Sequence, residues 1–266
     1  MTTTSRTELE RLRALRREQL ERTTSRNEPF AHGTAFYTPE RPTKWDVNVL
    51  LVDSVPSELA AQALIDEAER LQGAAGLAHR RLELTEGGDR LRPAFDAAGW
   101  SIDHLLLMVL RPGADRRGEA SPADVREVDF ERVRPLAERW QRDSTSPGQP
   151  DQAAEIADAD AARVQAESAR MFLAERNGKP AAYALLLQVA EGVSEVDQVY
   201  TAPEHRGAGM ASAVVRAAIA ASQQRGDTLT YILADAEDWP FRLYERLGFE
   251  TIGTRYDVTR KPSAGG

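Results

Sequence analysis

Cysteine is absent from this 266-residue chain, which excludes disulfide bridges, thiolate metal sites and a cysteine nucleophile. Long hydrophobic runs are missing as well. A membrane-spanning helix needs roughly 20 consecutive apolar residues, and no stretch approaches that. The opening residues, Met1-Thr2-Thr3-Thr4-Ser5-Arg6, form no apolar leader, so a cytoplasmic protein with no membrane partner is expected. Histidine is scarce. His32, His79, His104 and His205 stand far apart and make no pair at the four-residue spacing of a helical zinc site, so no metal is expected. Excess positive charge is also lacking: a net charge of -8 supplies no basic surface to displace counterions from phosphates, and no nucleic-acid partner is expected. Neither a Gly-x-Ser-x-Gly elbow nor a Walker loop is present.

What is present is 41% hydrophobic residues, enough for ordinary packed cores in one large domain or two small ones. Between Arg6 and Arg22, Leu9, Leu12, Leu15 and Leu20 make a thin apolar stripe at helical spacing, which predicts a surface or docking helix within residues 1–26. Pro112, Gly113, Gly118 and Pro122 interrupt every period and mark a linker over 113–121. The chain then divides into a first domain over 27–112, a second over 122–260 and a tail over 261–266.

In the second domain a short strand, Val125 to Val128, precedes helices at about 129–142 and 151–168. Strands Met171 to Arg176 and Ala181 to Val189 are joined by Asn177-Gly178, a strong hairpin signal, and Val193 to Thr201 is the next strand. A helix from Gly207 to Arg225 is stopped by Gly226, a strand covers Leu229 to Leu233, and a helix from about Asp238 to Leu247 leads to a strand from Phe249 to Val258. Strands and helices in this order predict a mixed α/β (α+β) sheet.

Arg206-Gly207-Ala208-Gly209-Met210-Ala211 falls between a strand and an amphipathic helix, where backbone N–H groups and the helix dipole can hold a phosphate. Val199-Tyr200-Thr201-Ala202-Pro203-Glu204-His205 precedes this loop, and Leu243-Tyr244-Glu245-Arg246-Leu247-Gly248-Phe249 follows it downstream. Together these segments resemble the GNAT superfamily of N-acetyltransferases. The family signature Arg/Gln-x-x-Gly-x-Gly/Ala is matched by Arg206, Gly209 and Ala211. The resemblance implies acetyl-CoA as cosubstrate, with the amides from Gly207 through Ala208, Gly209 and Met210 to Ala211 on the pyrophosphate. It also implies a strand splayed from its neighbour, with Val199, Tyr200 and Thr201 along the pantetheine arm.

Acyl transfer to an amine needs a neutral nucleophile and an acid for the departing thiolate. By resemblance Tyr244 is the general acid and Glu195 the general base acting through water. Asp197 shares the strand face of Glu195 by period-two spacing. One departure stands out: a frequent family asparagine is replaced within Asp235-Ala236-Glu237-Asp238-Trp239-Pro240, where Glu237 takes its place. Pro240 fits an early helical position, and Trp239 is expected to pack across the helix entrance.

The first domain repeats a β, α, β, α, β order: Trp45 to Val52, Ser57 to Leu71, His79 to Leu84, Asp89 to Ala98 and Trp100 to Leu110. Its Ala94-Phe95-Asp96-Ala97-Ala98-Gly99-Trp100 parallels the segment around Tyr244, but Phe95 carries no hydroxyl and Asp53-Ser54-Val55-Pro56-Ser57 has no glycine. Two GNAT-like domains in tandem, the N-terminal one incomplete and silent, are expected. The silent copy either walls the acceptor pocket, with Trp45, Asp46 and Asn48 as contacts, or serves as a scaffold or homodimer interface. The expected activity is transfer of acetyl to a primary amine of a small molecule or peptide, by direct attack in a ternary complex. The alternative is a catalytically silent acyl-CoA-binding sensor or regulatory module.

Overall fold

The computed structural model describes residues 2–111, 124–144, 153–166 and 169–262. The expected linker and most of the expected tail lie outside the described residues. In chain order the elements are α1 (Thr3–Thr23), β1 (Arg26–Phe30), β2 (Gly33–Tyr37), β3 (Val49–Val52), α2 (Ala61–Ala74), β4 (Arg80–Leu84), α3 (Gly88–Ala97) and β5 (Ser101–Leu110). They continue with β6 (Asp124–Val128), α4 (Phe130–Ser144), α5 (Ala153–Ala166), β7 (Arg170–Arg176), β8 (Lys179–Ala190), β9 (Val193–Thr201), α6 (Met210–Arg225), β10 (Leu229–Asp235), α7 (Pro240–Arg246) and β11 (Phe249–Arg260). The fold is mixed α/β with parallel and antiparallel strand pairs, and no helix among the described residues is long and apolar enough to cross a membrane.

Two compact units are present, and they do not follow chain order. One comprises the described residues of Met1–Leu107, Ala234–Phe241 and Thr251–Gly266, the other those of Met108–Leu233 and Arg242–Glu250. This departs from the expected division at 113–121, because β11 pairs antiparallel with β4, from Tyr256 opposite Leu84 to Arg260 opposite Arg80. A strand goes where its backbone groups find partners, and sequence order does not dictate which strand that is.

In the first unit the strand order is β1-β2-β3-β4-β11-β5. The chain enters it through α1, which buries Leu9, Leu12 and Leu20 and forms an ion pair of 3.0 Å from Arg16 to buried Glu83. The β1–β2 hairpin was not anticipated: Pro29 argues against a strand, and is tolerated here because β1 is the edge of the sheet. Trp45–Val47 forms a 3₁₀ turn rather than the start of β3. β3 and β4 are parallel, from Leu50 opposite Leu82 to Val52 opposite Leu84, with α2 between them in sequence.

The second unit orders its strands β10-β9-β8-β7-β6. Asn177 and Gly178 hold φ of 53° and 70°, which the tight turn between β7 and β8 requires. β8 is buried from Ala181 to Leu187. On one sheet face Met171, Leu173, Tyr183, Leu185, Leu187 and Tyr200 pack with Phe130, Val133, Leu136, Ala137 and Ala157 from α4 and α5. The α6 side is closed by Met210, Ala213, Val214, Val215, Ala218 and Ile219.

Candidate active site

β9 and β10 begin side by side and then part. They run parallel, paired from Val193 opposite Leu229 to Val196 opposite Ile232; β9 continues to Thr201 and β10 to Asp235 with no further pairing between them among the described residues. A bulge in β9 lies at this point. Asp197 pairs with Leu185 and Tyr200 with Tyr183, so Gln198 and Val199 together oppose Ala184. Gln198 has φ of 49°, in the left-handed region that residues with a Cβ seldom occupy. Its backbone N–H donates to the Asp197 carboxylate at 2.8 Å, and Arg163 from α5 pairs with the same carboxylate at 3.3 Å. Asp197 therefore braces the bulge.

Cross-strand partners point to the same side of a sheet. Glu195 opposes Leu187 on β8 and Tyr231 on β10, which places all three on the α4/α5 face. The Tyr231 hydroxyl donates to Glu195 Oε2 at 2.9 Å. The bulge shifts the alternation by one residue, so Tyr200 also turns its ring toward α4. It stacks on Trp140 at 5.9 Å and donates to Asp143 at 2.8 Å. Burial, and the hydrogen bond and charge of Asp143, push the Tyr200 phenol up to about 12. Tyr200 is thus committed to the core and has only its backbone to offer a ligand. Along the same stretch, Gln198 Oε1 and Thr201 Oγ1 are buried without a hydrogen-bond partner among the described residues.

Beyond Thr201 the chain turns through a 3₁₀ segment, Pro203–His205, into the glycine loop. Arg206 Nε donates to the Thr201 carbonyl at 3.2 Å. Gly207 and Gly209 have φ of 72° and 77°, and a Cβ built on either would meet nothing within 4 Å. The helix accordingly begins at Met210 and not at Gly207. Gly209 is its N-cap and no side chain caps it, so the first amides and the positive end of the helix dipole face an open side. The far end of α6 is anchored: Asp227 accepts from Ser194 at 2.5 Å, from Ser222 at 2.8 Å and from Arg225. Burial acts to raise the Asp227 carboxyl, but these bonds outweigh it and hold it below the ordinary range.

Tyr244 is 6% exposed on the short helix α7, its ring edge-on to Phe249 at 6.2 Å. Tyr244, Glu195, the glycine loop and β9 all belong to the second unit. Glu237 forms an ion pair with Arg92 at 3.0 Å. Trp239 differs from expectation: at 55% exposure it does not pack across the start of α7, because the chain enters the helix only at Pro240.

The sequence singled out the loop, Glu195 and Tyr244 as candidates, but not Tyr231 or Gln198. Tyr231 reaches Glu195 only through the register of β9 on β10, and no local signal marks Gln198 as the bulged residue. The open uncapped glycine loop, the unpaired edges of β9 and β10 and the orphaned polar atoms at Gln198 and Thr201 are features that would suit an anionic, extended ligand. No group of three or more histidine, aspartate or glutamate side chains among the described residues could hold a metal.

Residues 133–249 match the acetyltransferase (GNAT) family. No curated protein matches the chain. A functionally unknown conserved protein from Staphylococcus epidermidis ATCC 12228 shares the fold with a TM-score of 0.70 at 14% identity, over 88% of this chain and 93% of that one. A GCN5-related N-acetyltransferase from Kribbella flavida gives a TM-score of 0.62 at 21% identity, over 96% and 95%. A tandem GNAT protein from the clavulanic acid biosynthesis pathway gives 0.52 at 16%, over 82% and 76%. At these identities the likeness is one of fold. The family match spans the parted strands, the glycine loop and Tyr244, so residues 133–249 carry the acetyltransferase (GNAT) family domain.

Proposed function

We propose that the protein transfers acetyl from acetyl-CoA to a primary amine of a small molecule or peptide, by direct attack in a ternary complex. The observation that carries this reading is the gap where β9 and β10 part, with the uncapped glycine loop following β9 and Glu195 on the α4/α5 face beside it. Bound acetyl-CoA supplies an acetyl group already activated as a thioester. The amides from Gly207 to Ala211 hold its pyrophosphate, with the dipole of α6 behind them. Backbone groups of Val199, Tyr200 and Thr201 pair with the pantetheine arm.

Glu195 takes a proton from the acceptor's ammonium, directly or through one water, leaving the amine free to attack. The C–N bond forms as the C–S bond breaks, the Tyr244 phenol gives its proton to the departing sulfur, and the second proton shed by the acylated nitrogen restores the phenol. No covalent intermediate with the protein is needed. The chain's net charge of -8 favours a cationic acceptor through steering. A second reading, a silent acyl-CoA-binding module, draws on Glu237, which is tied to Arg92 where the family often has an asparagine.

Calorimetric titration with acetyl-CoA, followed by release of CoA thiol in the presence of a panel of amines, tests both readings; the chain has no cysteine to interfere. Binding with amine-dependent release is expected. Binding without release across the panel favours the silent module, and no binding overturns the acetyl-CoA reading. Tyr244→Phe should lower kcat by about 10²-fold or more with acetyl-CoA affinity unchanged.

A further inference from the structure

We propose that Tyr231 is a positioning residue for acyl transfer, its phenol holding the Glu195 carboxylate in the orientation a base requires at the point where β9 and β10 part. The proposal rests on the reading of Glu195 as general base. Tyr231 and Glu195 are direct cross-strand partners, one pair before the last, and the hydroxyl donates to Oε2 at 2.9 Å. Both side chains are half-buried, so the bond is partly shielded from competing water.

Backbone pairing and the buried Val196 and Ile232 already hold the strands together here. The sheet does not require the hydroxyl, whereas a glutamate rotamer does benefit from a donor fixed on the neighbouring strand. The surroundings sharpen the need. On the same face β9 presents Asp197, which is occupied by Arg163 and the Gln198 N–H, and β8 presents the apolar Leu185 and Leu187. From α5, Arg163 reaches Asp197 and Asp160 acts on Tyr183. A phenolic donor favours the ionised form of the carboxylate it bonds. A base must also sit within hydrogen-bond reach of its proton, and a donor fixed on the neighbouring strand limits the rotamers its carboxylate can adopt.

The test uses the full-length protein and the best amine found in the panel. Tyr231→Phe should lower kcat by roughly 10-fold, leave the affinity for acetyl-CoA unchanged, and move the acidic limb of kcat/KM up by about half to one pH unit, as loss of a donor to the charged carboxylate requires. In the background of Glu195→Gln, the same change should cost nothing further, since it acts through Glu195. An unmoved acidic limb, or a double variant whose losses multiply, overturns the positioning role while leaving Glu195 as base intact. A Glu195→Gln variant with wild-type kcat and an unmoved acidic limb removes the base itself, and the proposal with it. Substituting fluorotyrosine at 231, a more acidic and stronger donor, should move the limb in the opposite direction; movement the same way as Tyr231→Phe also overturns it.

Discussion

Gln198 illustrates how single residues set the site. Its left-handed backbone is unfavourable for a residue with a Cβ, and the Asp197 carboxylate, itself held by Arg163, accepts its N–H. Asp197→Asn should weaken both contacts and cost about 1 kcal/mol of stability, read as a shift in Tm, with a larger proportional loss in kcat than in acetyl-CoA affinity. Gly209 is constrained for a different reason. A side chain there enters open space at φ of 77°, so Gly209→Glu should leave a folded protein, strained by about 1–2 kcal/mol, that no longer binds acetyl-CoA in calorimetry because a carboxylate occupies the anion loop. Glu83 carries the pH dependence. Burial acts to raise its carboxyl, but the charges of Arg16, Arg255 and Arg81 and the bond from Arg16 outweigh that and hold it well below the usual range. A depressed carboxylate contributes stability above its unfolded value of about 4.3 and loses it as pH falls below that toward the folded value. Glu83→Gln should therefore lower stability at neutral pH by about 3–5 kcal/mol and flatten the acid limb of a denaturation profile below about pH 4.

At the scale of elements, the interiors and the starts of β9, β10 and β11 at Val193, Leu229 and Phe249 were legible, whereas the starts of α2 and α6 were not. β9 and the β7–β8 hairpin follow from alternation and from Asn177-Gly178. α2 begins at Ala61 rather than Ser57, because residues 56–59 close a turn in which Leu59 donates to the Pro56 carbonyl. α6 begins at Met210 because two glycines with positive φ cannot continue a helix backward. The unforeseen β1–β2 hairpin depends on a close approach: a Cβ on Gly33 would stand 2.0 Å from the Leu51 carbonyl oxygen, which is backbone and cannot rotate away. Gly33→Ala should force β2 off β3 and cost several kcal/mol, about 3 or more, visible in urea denaturation as a lower midpoint.

For the whole molecule, the division into units makes a sharper statement than the chain's linear halves. Residues Tyr256 to Arg260 pair with β4, so a fragment spanning 122–260 carries a strand whose backbone partners on that side lie outside it. Such a fragment, expressed alone, should be poorly soluble or lack a cooperative thermal transition, whereas the full chain should show one; a cooperatively folded fragment that binds acetyl-CoA would contradict this. Removing Thr3–Thr23 should likewise destabilise the protein, since Leu9, Leu12 and Leu20 leave apolar surface behind and Glu83 loses Arg16.

The sequence by itself determined the class of fold, and put forward the glycine loop at Arg206 to Ala211, Glu195 and Tyr244 as candidates. These rest on local chemistry: period-two and helical alternation, glycines where backbone must turn, and side chains of the right type in a short motif. Only the tertiary structure decided that β9 and β10 part after Val196 and Ile232, that Gln198 is the bulged residue, that Tyr231 grips Glu195, and that β11 joins β4. Each of those is a matter of register or partner choice between segments distant in the chain, and pairing of that kind is settled by the burial and backbone hydrogen bonding of the whole sheet rather than by any one segment's composition.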